Sequence, residues 1–581
     1  MHRMPSLRRS RRSPRNPCSG VTTIPICGLL VVLFLSALAL DSSHAALQVS
    51  ANQRYLEDEA GTPFFLTGDA AWSLIAQLTL PEATVYLDDR KEKGFNLAMV
   101  NLIEHQFSSN PPANAYGDDP FTGRPFVTPN EDYFAHADAV VSLAEDRGIV
   151  LLLAPVYLGY GCGNEGWCGE IQAATLAEMR EWGRYLGQRY AGYDNIVWLI
   201  GGDTDPTPVA DKLVQVVEGI REFDSTHLIT AHNAPETQAI DGWPGVDWID
   251  VNSVYTYSSI LYEAVQDGYE VDPPLPLFLL ESAYENEHGS TPESLRRQSY
   301  WAALSGAFGH VFGNCPIWHF GYSTAWCGLD DWEAELDEPG SANMSYYRRL
   351  FESRRWTELV PDFGHDALVS GFGTPSTTNY AVAAVAVDGS SIVAFLPTSR
   401  TVTIDATGLT GDSTRGWWYD PADGTVTDLG TQPRGTHSYT PPASGDWVLV
   451  VDDASIGFAP PGQPLVPSEL PSGDDVLTLR DAGTIHVVPN PSRGEFRIAL
   501  GAPGMMDATK STGADVSILS ADGRRIRSWT VSAQDVSSGV LRDGILWDGH
   551  DERGRDVPAG SYLVRVANGD RVFGERIVLL R

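Results

Sequence analysis

Residues 195–203 read Asn195-Ile196-Val197-Trp198-Leu199-Ile200-Gly201-Gly202-Asp203. The stretch is apolar until Ile200, as in a buried strand, and then breaks at two glycines. Because glycine lets the backbone turn sharply, we expect Asp203 to be presented at the rim of a sheet. A second apolar run, at residues 277–280, ends at Glu281, and a carboxylate at that point would be costly inside a core.

Similar short apolar runs alternate with helical stretches from about residue 64 to residue 307. This alternation predicts parallel strands joined by helical crossovers. We predict eight strands, at residues 64–69, 97–102, 149–155, 196–201, 227–230, 248–252, 277–281 and 311–318. Eight strand–helix repeats close into a barrel, in which chemistry takes place at the C-terminal ends of the strands. The predicted fold class is therefore α/β, a (β/α)₈ TIM barrel followed by two small β-sandwich domains.

The chain of 581 residues is too long for a single hydrophobic core. Beyond about Pro361 the helical period disappears and strand-like alternation begins, and a later segment is rich in proline. These shifts divide the sequence into a signal peptide (1–45), the barrel (46–355), a β-sandwich module (356–453), a proline-rich linker (454–474) and a C-terminal β-domain (475–581).

The N-terminus has the pattern of a secretory signal. Six arginines precede an apolar run from about Val21 to Leu40, and small residues follow it at Ser43 and Ala45. A retained membrane anchor is the alternative, because the run approaches the length needed to cross a bilayer. We therefore expect a protein that is secreted or held at the bacterial cell surface.

The formal net charge of −35 at pH 7 limits the partners of the chain. A protein this acidic repels polyanions at long range, which argues against nucleic acid and anionic membranes as main partners. Neutral carbohydrate is compatible with this charge. The expected partner is a polysaccharide or an oligosaccharide.

Four cysteines follow the signal segment, in two close pairs: Cys162 with Cys168, and Cys315 with Cys327. In an exported protein this pattern predicts two disulfides that staple loops. A zinc site is the alternative, but no paired Cys or His at short ligand spacing supports it. We expect neither a metal nor a cofactor.

The two carboxyl groups at strand ends suit the cleavage of glycosidic bonds, which requires one proton donor and one nucleophile or base. Strands four and seven lie on opposite sides of an eight-stranded barrel, so their tips can flank one bond. We predict Asp203 as the general acid/base and Glu281 as the nucleophile. The alternative is that either acid caps a helix or pairs with an arginine, and Asp205 and Glu285 are nearby acids that compete for the two roles.

Other predicted strand ends carry polar and aromatic residues suited to sugars, whose hydroxyls need fixed hydrogen bonds and whose C–H faces stack on rings. The predicted substrate-binding residues are Asp69, Trp72, Asn101, His105, Tyr157, His232, Asn252, Tyr255, Tyr257, Trp318 and His319. Together they indicate a pocket for a polyol. No phosphate-binding loop or serine-hydrolase elbow accompanies them.

Three stretches, at residues 65–72, 195–203 and 279–285, resemble the apiosidase-like glycoside hydrolases, and the similarity covers roughly residues 47–355. In that family the Asp after the paired glycines resembles the acid/base and the Glu ending strand seven resembles the nucleophile, which correspond to Asp203 and Glu281 here. The resemblance implies a retaining mechanism and a branched pentose, apiose in a pectic side chain, as the substrate.

The two C-terminal units also have resemblances. Residues 356–453 are similar to a β-module often appended to this barrel and labelled as collagen-binding; we expect it to pack against the barrel, because Trp417, Trp418 and Trp447 suffice for its core. Residues 475–581 resemble flagellar-hook-cap-type Ig-like domains, which implies delivery or attachment to the cell surface. A plain spacer is the alternative.

Taken together, the sequence and its resemblances imply a secreted retaining glycoside hydrolase that is exo-acting on pectic or other plant polysaccharide side chains. The alternatives are a glycosidase for another linkage, such as an arabinofuranoside or a β-glucan, and a non-catalytic surface protein that binds carbohydrate or matrix on a barrel scaffold.

Overall fold

The computed structural model describes residues 46–243, 245–463, 485–488, 496–500, 514–520, 525–531, 545–550, 555–557, 560–568 and 571–579. The predicted signal peptide, most of the predicted linker and parts of the C-terminal domain lie outside these residues. Among the helices that are described, none combines the length and the apolar character needed to cross a bilayer.

Eight parallel strands form the barrel that the sequence predicts. They are Leu66–Ala70, Leu97–Asn101, Val150–Ala154, Ile196–Gly201, Ile229–His232, Asn252–Tyr255, Leu277–Glu281 and Gly309–Phe312, and we number them one to eight in this order. Their order in the sheet is five, four, three, two, one, eight, seven, six, and the short strand Thr237–Gln238 pairs antiparallel with strand six as a ninth member. Strands five and six approach each other where Ser253 Oγ donates to Ala231 O at 3.1 Å, which nearly closes the ring.

Side chains alternate between the inside of the barrel and its helical coat. Met99, Leu152 and Leu199 belong to the cluster that fills the interior, whereas Val100, Leu153 and Trp198 pack against helices. Each strand is therefore buried on both faces, which explains the continuous apolar runs. Strands five and six begin two to four residues later than predicted, because their ends carry polar residues that the apolar pattern excludes. Strand eight begins two residues earlier than predicted and already ends at Phe312, because the apolar residues near 318 belong to a 3₁₀ helix.

The helices of the barrel are Leu74–Gln77, Leu80–Glu92, Glu131–Glu145, Cys168–Ala173, Leu176–Tyr190, Ala210–Arg221, Tyr262–Tyr269, Pro292–Leu304 and Pro339–Glu352. Short 3₁₀ helices lie at Tyr160–Cys162, Ile317–His319, Ala334–Asp337 and Trp356–Glu358. Before strand one, a small antiparallel sheet is formed by Gln48–Val49, Leu56–Glu57 and Pro63–Phe64.

The start of a helix is fixed by local sequence. At the helix Leu80–Glu92, the Thr79 N–H donates to the Glu82 carboxylate at 2.8 Å, which is part of a capping box.

The middle module consists of two antiparallel sheets. The larger sheet has the strand order Leu359–Pro361, Val382–Ala386, Ser391–Leu396, Trp447–Asp453, Ser413–Tyr419, Val426–Pro433. The smaller sheet contains Leu368–Ser370, Val402–Asp405 and Thr436–Tyr439. Trp418 and Trp447 lie in the core between the two sheets.

The outer face of the larger sheet shares a continuous apolar core with the barrel. Tyr300 stacks on Phe395 with ring centroids 5.0 Å apart, and Trp417 belongs to the same cluster. Two buried ion pairs cross this junction: Arg296 with Asp446 at 2.7 Å, and Arg354 with Asp452 at 2.8 Å. The module thus packs against the barrel, and its three tryptophans are buried, as expected from the sequence.

The start of the predicted linker differs from a free spacer. The Arg354 guanidinium lies 4.9 Å from the Phe458 ring, and the Gly462 N–H donates to Ser353 Oγ at 3.0 Å. Residues 454–463 therefore pack on the junction. The described strands of the C-terminal domain form two antiparallel sheets, one of Ile485–Val488, Phe496–Leu500 and Ile545–Trp547, and one of Ala514–Ser520, Arg525–Val531, Gly560–Asn568 and Arg571–Leu579.

Candidate active site

The turn after strand four requires its two glycines. The φ angles of Gly201, Gly202 and Asp203 are +109°, +133° and +55°, a region that residues with side chains rarely adopt. A Cβ atom on Gly201 would lie 2.4 Å from the His232 carbonyl oxygen, and one on Gly202 would lie 2.4 Å from the Tyr157 ring. The turn places Asp203 in the lining of a cleft, after a strand whose residues Val197 and Leu199 pack in the barrel interior.

Two tyrosines hold the Asp203 carboxyl group. Tyr255 OH donates to Oδ1 at 2.8 Å and Tyr157 OH donates to Oδ2 at 3.2 Å. Burial raises the pKa of Asp203, and the nearby Glu281 carboxylate raises it further. Over the described residues, no arginine or lysine pairs with Asp203, so the alternative of a structural ion pair finds no support.

Glu281 reaches the cleft through an irregularity in strand seven. Val254 pairs with Leu279 but the next residue, Tyr255, pairs with Glu281, so strand seven has one extra residue at Leu280. Leu279 packs outside the barrel and Leu280 inside, and simple alternation would aim Glu281 outward. The extra residue reverses the alternation, so the Glu281 side chain points into the cleft instead.

The Glu281 carboxyl group accepts two hydrogen bonds. His232 Nε2 lies 2.8 Å from Oε2, and Tyr257 OH donates to Oε1 at 3.2 Å. The hydroxyls of Tyr255 and Tyr257 are 3.3 Å apart, which links the partner of Asp203 to the partner of Glu281. The two predicted carboxyl groups therefore share one hydrogen-bonded network.

His232 connects the two acids directly. Its Nδ1 atom accepts the backbone N–H of Asp203 at 2.7 Å, so the neutral ring carries its proton on Nε2 and donates it to Glu281. Because protein groups occupy both ring nitrogens, His232 has no free nitrogen for a sugar hydroxyl. His232 therefore positions the two acids; it also lines the cleft, and its predicted contact with the substrate stays a prediction.

Substitutions of His232 separate its two contacts. We expect His232→Gln to keep a donor for the Glu281 carboxylate but to lose the acceptor for the Asp203 N–H. His232→Asn should keep that acceptor and lose the donor for Glu281. His232→Asn loses the bond to the Glu281 carboxylate, which costs about 1.5–3 kcal/mol and corresponds to a roughly 10- to 100-fold lower kcat. His232→Gln loses a bond between neutral groups, which costs about 0.5–1.5 kcal/mol and corresponds to a roughly 2- to 10-fold lower kcat. Steady-state kinetics with an aryl glycoside measures this, with His105→Asn as the control. A higher KM with unchanged kcat would instead indicate substrate binding.

The cleft around this network has a volume of about 860 Å³, a size typical of ligand sites. Seven of the predicted substrate-binding residues line it: Trp72, Asn101, Tyr157, His232, Tyr255, Tyr257 and Trp318. Trp72 Nε1 donates to Tyr284 OH at 3.3 Å, which fixes one aromatic wall. The lining thus offers both ring faces and hydroxyl groups.

Two predicted residues point away from the cleft because side chains alternate along a strand. Asp69 faces the helical coat, where it is fully buried, pairs with Arg90 at 2.6 Å and accepts the Tyr86 hydroxyl at 2.8 Å. Asn252 also faces outward, and its Nδ2 donates to Gln238 Oε1 at 2.8 Å. The prediction of substrate contact is wrong for both, and their roles are structural.

Two predicted histidines also lie outside the cleft lining. His105 stands 3.5 Å from Glu170, with its ring against Trp167. His319 is fully buried behind Trp318, and burial lowers its pKa to about 4. His105 lies in an irregular segment after strand two, and His319 ends the short 3₁₀ helix Ile317–His319 after strand eight. The alternation along a strand fixes the direction of neither side chain, and the prediction is corrected for both.

The competing acids take structural positions. Asp205 is exposed and accepts the Thr207 N–H at 2.8 Å within its own loop. Glu285 is buried and accepts the Gly340 N–H at 2.8 Å, at the start of a helix, and the Asn314 amide at 2.9 Å. Neither lines the cleft.

Two disulfide-closed loops contribute lining residues that the prediction did not include. The structure joins Cys162 to Cys168 and Cys315 to Cys327, which confirms the predicted disulfides. The cleft is also lined by residues that are not among the predicted substrate-binding residues: Phe107, Tyr160, Glu165, Pro235, Ala283, Tyr284, Glu287, His288 and Trp326. The spacing of the cysteines could have indicated Glu165 and Trp326 as lining residues, because each lies inside a loop that a disulfide closes.

The zinc alternative is not supported by these loops. Cys315, His319 and Cys327 lie close together, but the two cysteines are bonded to each other and offer no thiolate to a metal.

A barrel that presents carboxyl groups from strands four and seven in one polar and aromatic cleft is the arrangement of a glycoside hydrolase. A family model for the apiosidase-like catalytic domain matches residues 50–358, and the chain belongs to this family. It is a glycoside hydrolase, as the sequence predicts. A second model, named for a collagen-binding domain of a collagenase, matches residues 372–452.

Solved structures show the same fold. A glycoside hydrolase of 24% identity has a TM-score of 0.64 and covers 71% of this chain and 98% of its own. A glycoside hydrolase family 5 protein from Bacteroides vulgatus ATCC 8482, also 24% identical, has a TM-score of 0.64 and covers 73% of this chain and 97% of its own. A search of curated protein sequences found no match.

Proposed function

We propose that this protein is a secreted, retaining glycoside hydrolase that is exo-acting on pectic or other plant polysaccharide side chains. The observation that carries the proposal is the placement of Asp203 and Glu281 in one cleft, joined by His232 and by the Tyr255–Tyr257 pair. The exo mode, the pectic source and apiose as the sugar rest on the family resemblance.

In the proposed mechanism, Glu281 attacks the anomeric carbon while Asp203 protonates the leaving oxygen. The Nε2–H of His232 and the hydroxyl of Tyr257 stabilise the ionised Glu281 before attack. Water then replaces the leaving group, Asp203 removes its proton, and the resulting attack releases the sugar from Glu281. The two inversions at the anomeric carbon give net retention.

A substrate screen with product analysis tests the proposal. The purified protein is incubated with pectic oligosaccharides and with aryl glycosides of apiose, arabinofuranose and glucose, and ¹H NMR identifies the first anomer released. Retention of configuration is expected; inversion would overturn the mechanism, and turnover of another linkage would change the substrate. If the protein hydrolyses none of these substrates but still binds the oligosaccharides, it is a non-catalytic carbohydrate-binding protein.

Secretion has a separate test. We expect the exported protein to begin near residue 46, because small residues precede that position. N-terminal sequencing of protein from the culture medium checks this, and an intact N-terminus in the membrane fraction would favour the anchor.

The raised pKa of Asp203 predicts the pH dependence of the first step. The general acid must be protonated, so kcat/KM is high below the pKa of Asp203 and is lost as the pH rises through it. Tyr255→Phe removes a hydrogen bond that favours the carboxylate, so we expect this limb of the pH profile to move to higher pH. Tyr160→Phe is the control, and a shift to lower pH would contradict the assignment.

A further inference from the structure

Asn101 ends strand two on the same face as Met99, which packs in the barrel interior, and its side chain lines the cleft. Its Nδ2 donates to Glu104 Oε2 at 3.1 Å, and the residue is only 2% exposed. Across the described part of the chain, no protein group hydrogen-bonds its Oδ1. A buried carbonyl oxygen without a partner is costly, so a partner from the cleft would stabilise this side chain.

Glu104 fixes which atom of the Asn101 amide is left for the cleft. This acid is fully buried, and its Oε1 accepts three consecutive backbone N–H groups, those of His105, Gln106 and Phe107, at 2.9, 3.2 and 3.1 Å. Such donors stabilise a carboxylate, which can only accept hydrogen bonds. Because the carboxylate cannot donate to Oδ1, the Nδ2 of Asn101 must face Glu104, and the carbonyl oxygen remains free for another donor.

The same acid positions an aromatic residue of the cleft. The turn that its Oε1 closes ends at Phe107, whose ring meets the Trp318 ring edge to face, with centroids 5.3 Å apart. Phe107 and Trp318 both line the cleft. Glu104, a buried acid that takes no part in the proposed reaction, therefore holds both a hydrogen-bond acceptor and an aromatic wall in place.

We infer that Asn101 Oδ1 accepts a hydrogen bond from a sugar hydroxyl, and that Glu104 is the positioning residue that makes this side chain an acceptor. The inference deepens the proposed function and rests on it. The site then requires a free hydroxyl at one ring position of the sugar, because an O-methyl, O-acetyl or fluoro group there cannot donate. A site built for a hydroxyl rejects an analogue without the donor, since its own buried polar atom stays unpaired.

The test uses 4-nitrophenyl apioside and its analogues in which fluorine replaces one hydroxyl at a time. The arabinofuranoside or glucoside series takes its place if the substrate screen identifies that sugar. The ratio of kcat/KM for the parent to kcat/KM for each analogue is compared between variants, because the electronic effect of fluorine is common to all of them. For one ring position, we expect Asn101→Ala to lower this ratio at least about tenfold. This variant leaves Glu104 and its N–H donors in place, so it tests the contact even if a change at Glu104 prevents folding.

Glu104→Gln tests the positioning role. The new amide can still accept the three N–H groups through its oxygen, while its Nε2 donates to Asn101 Oδ1, so the Asn101 amide turns over and presents a donor to the cleft. The ratio should therefore fall at least about tenfold in this variant as well. The double variant Glu104→Gln with Asn101→Asp keeps the total charge and restores an acceptor, so the ratio should return to the wild-type value or exceed it.

Glu285→Gln is the matched control. Glu285 is also buried and also accepts an asparagine amide, that of Asn314 at 2.9 Å, but neither of these two residues lines the cleft. A general effect of removing a buried carboxylate appears in both glutamine variants, whereas the change in ratio should appear only in Glu104→Gln.

The outcomes separate the inference from the proposed function. If the parent glycoside is hydrolysed and Asn101→Ala leaves every ratio unchanged, the inference is wrong and the proposed function stands. If Asn101→Ala lowers a ratio but Glu104→Gln does not, or if the double variant fails to restore it, Glu104 does not make Asn101 an acceptor. If no glycoside is hydrolysed, the proposed function fails, and the calorimetric Kd values of the same compounds decide the inference by the same ratio; absence of binding would overturn it too.

Discussion

Replacing Glu281 by glutamine is expected to lower kcat by at least about 10⁴-fold, because an amide of similar shape cannot form the covalent bond that divides the reaction into two steps. The amide can still contact the hydroxyl of Tyr257, which in the wild type donates to the Glu281 carboxylate at 3.2 Å, so the cleft should remain assembled. Substrate binding should therefore persist, and calorimetry with an intact oligosaccharide measures it independently of turnover.

Two further variants make this result specific. Asp205→Asn removes an acid two residues from Asp203, but Asp205 is exposed and bonded within its loop, so this variant should retain activity. In Glu281→Ala, a small anion such as azide can enter the vacated space and attack the anomeric carbon, so added azide should restore turnover of an activated aryl glycoside. Equal turnover by the wild type and Glu281→Gln would end the assignment.

Replacing Asp452 by alanine is expected to lower the free energy of unfolding of the barrel and module by about 3–5 kcal/mol, because it leaves a buried arginine without its partner. Arg354 donates to both carboxylate oxygens, at 2.9 and 2.8 Å, and the two side chains are almost fully buried. Ser391 Oγ and Trp417 Nε1 complete the network at 2.7 and 2.9 Å.

The matched control is Asp428→Ala in the same sheet. Asp428 pairs with Arg415 at 2.6 Å, but both side chains are more than 40% exposed, and exposed pairs contribute at most about 1 kcal/mol. Urea unfolding followed by tryptophan fluorescence measures both variants. If the two variants lose equal stability, the buried network does not hold the module to the barrel.

Much of the fold follows from local sequence. The apolar runs predict all eight barrel strands because each strand is buried on both faces. The glycine pair before Asp203 predicts a turn because glycine allows the backbone to turn sharply, and the structure adds that a Cβ atom at either position would clash. Side chains alternate in direction along a strand, and this alternation also distinguishes two groups of polar residues. Asn101 points into the barrel, whereas Asp69 and Asn252 point outward to the helices. The bounds of strands five and six were harder to predict because their buried ends are polar, and those of strand eight because the apolar run continues into a 3₁₀ helix.

The sequence by itself determined the barrel, the two disulfides and the positions of Asp203 and Glu281 at strand ends, since these depend on runs and spacings of a few residues. Only the tertiary structure decided that a bulge at Leu280 aims Glu281 into the cleft, and that His232 connects the two acids. Such contacts join residues about 30 to 50 positions apart, so no local pattern encodes them. The same holds for the single core that the module forms with the barrel.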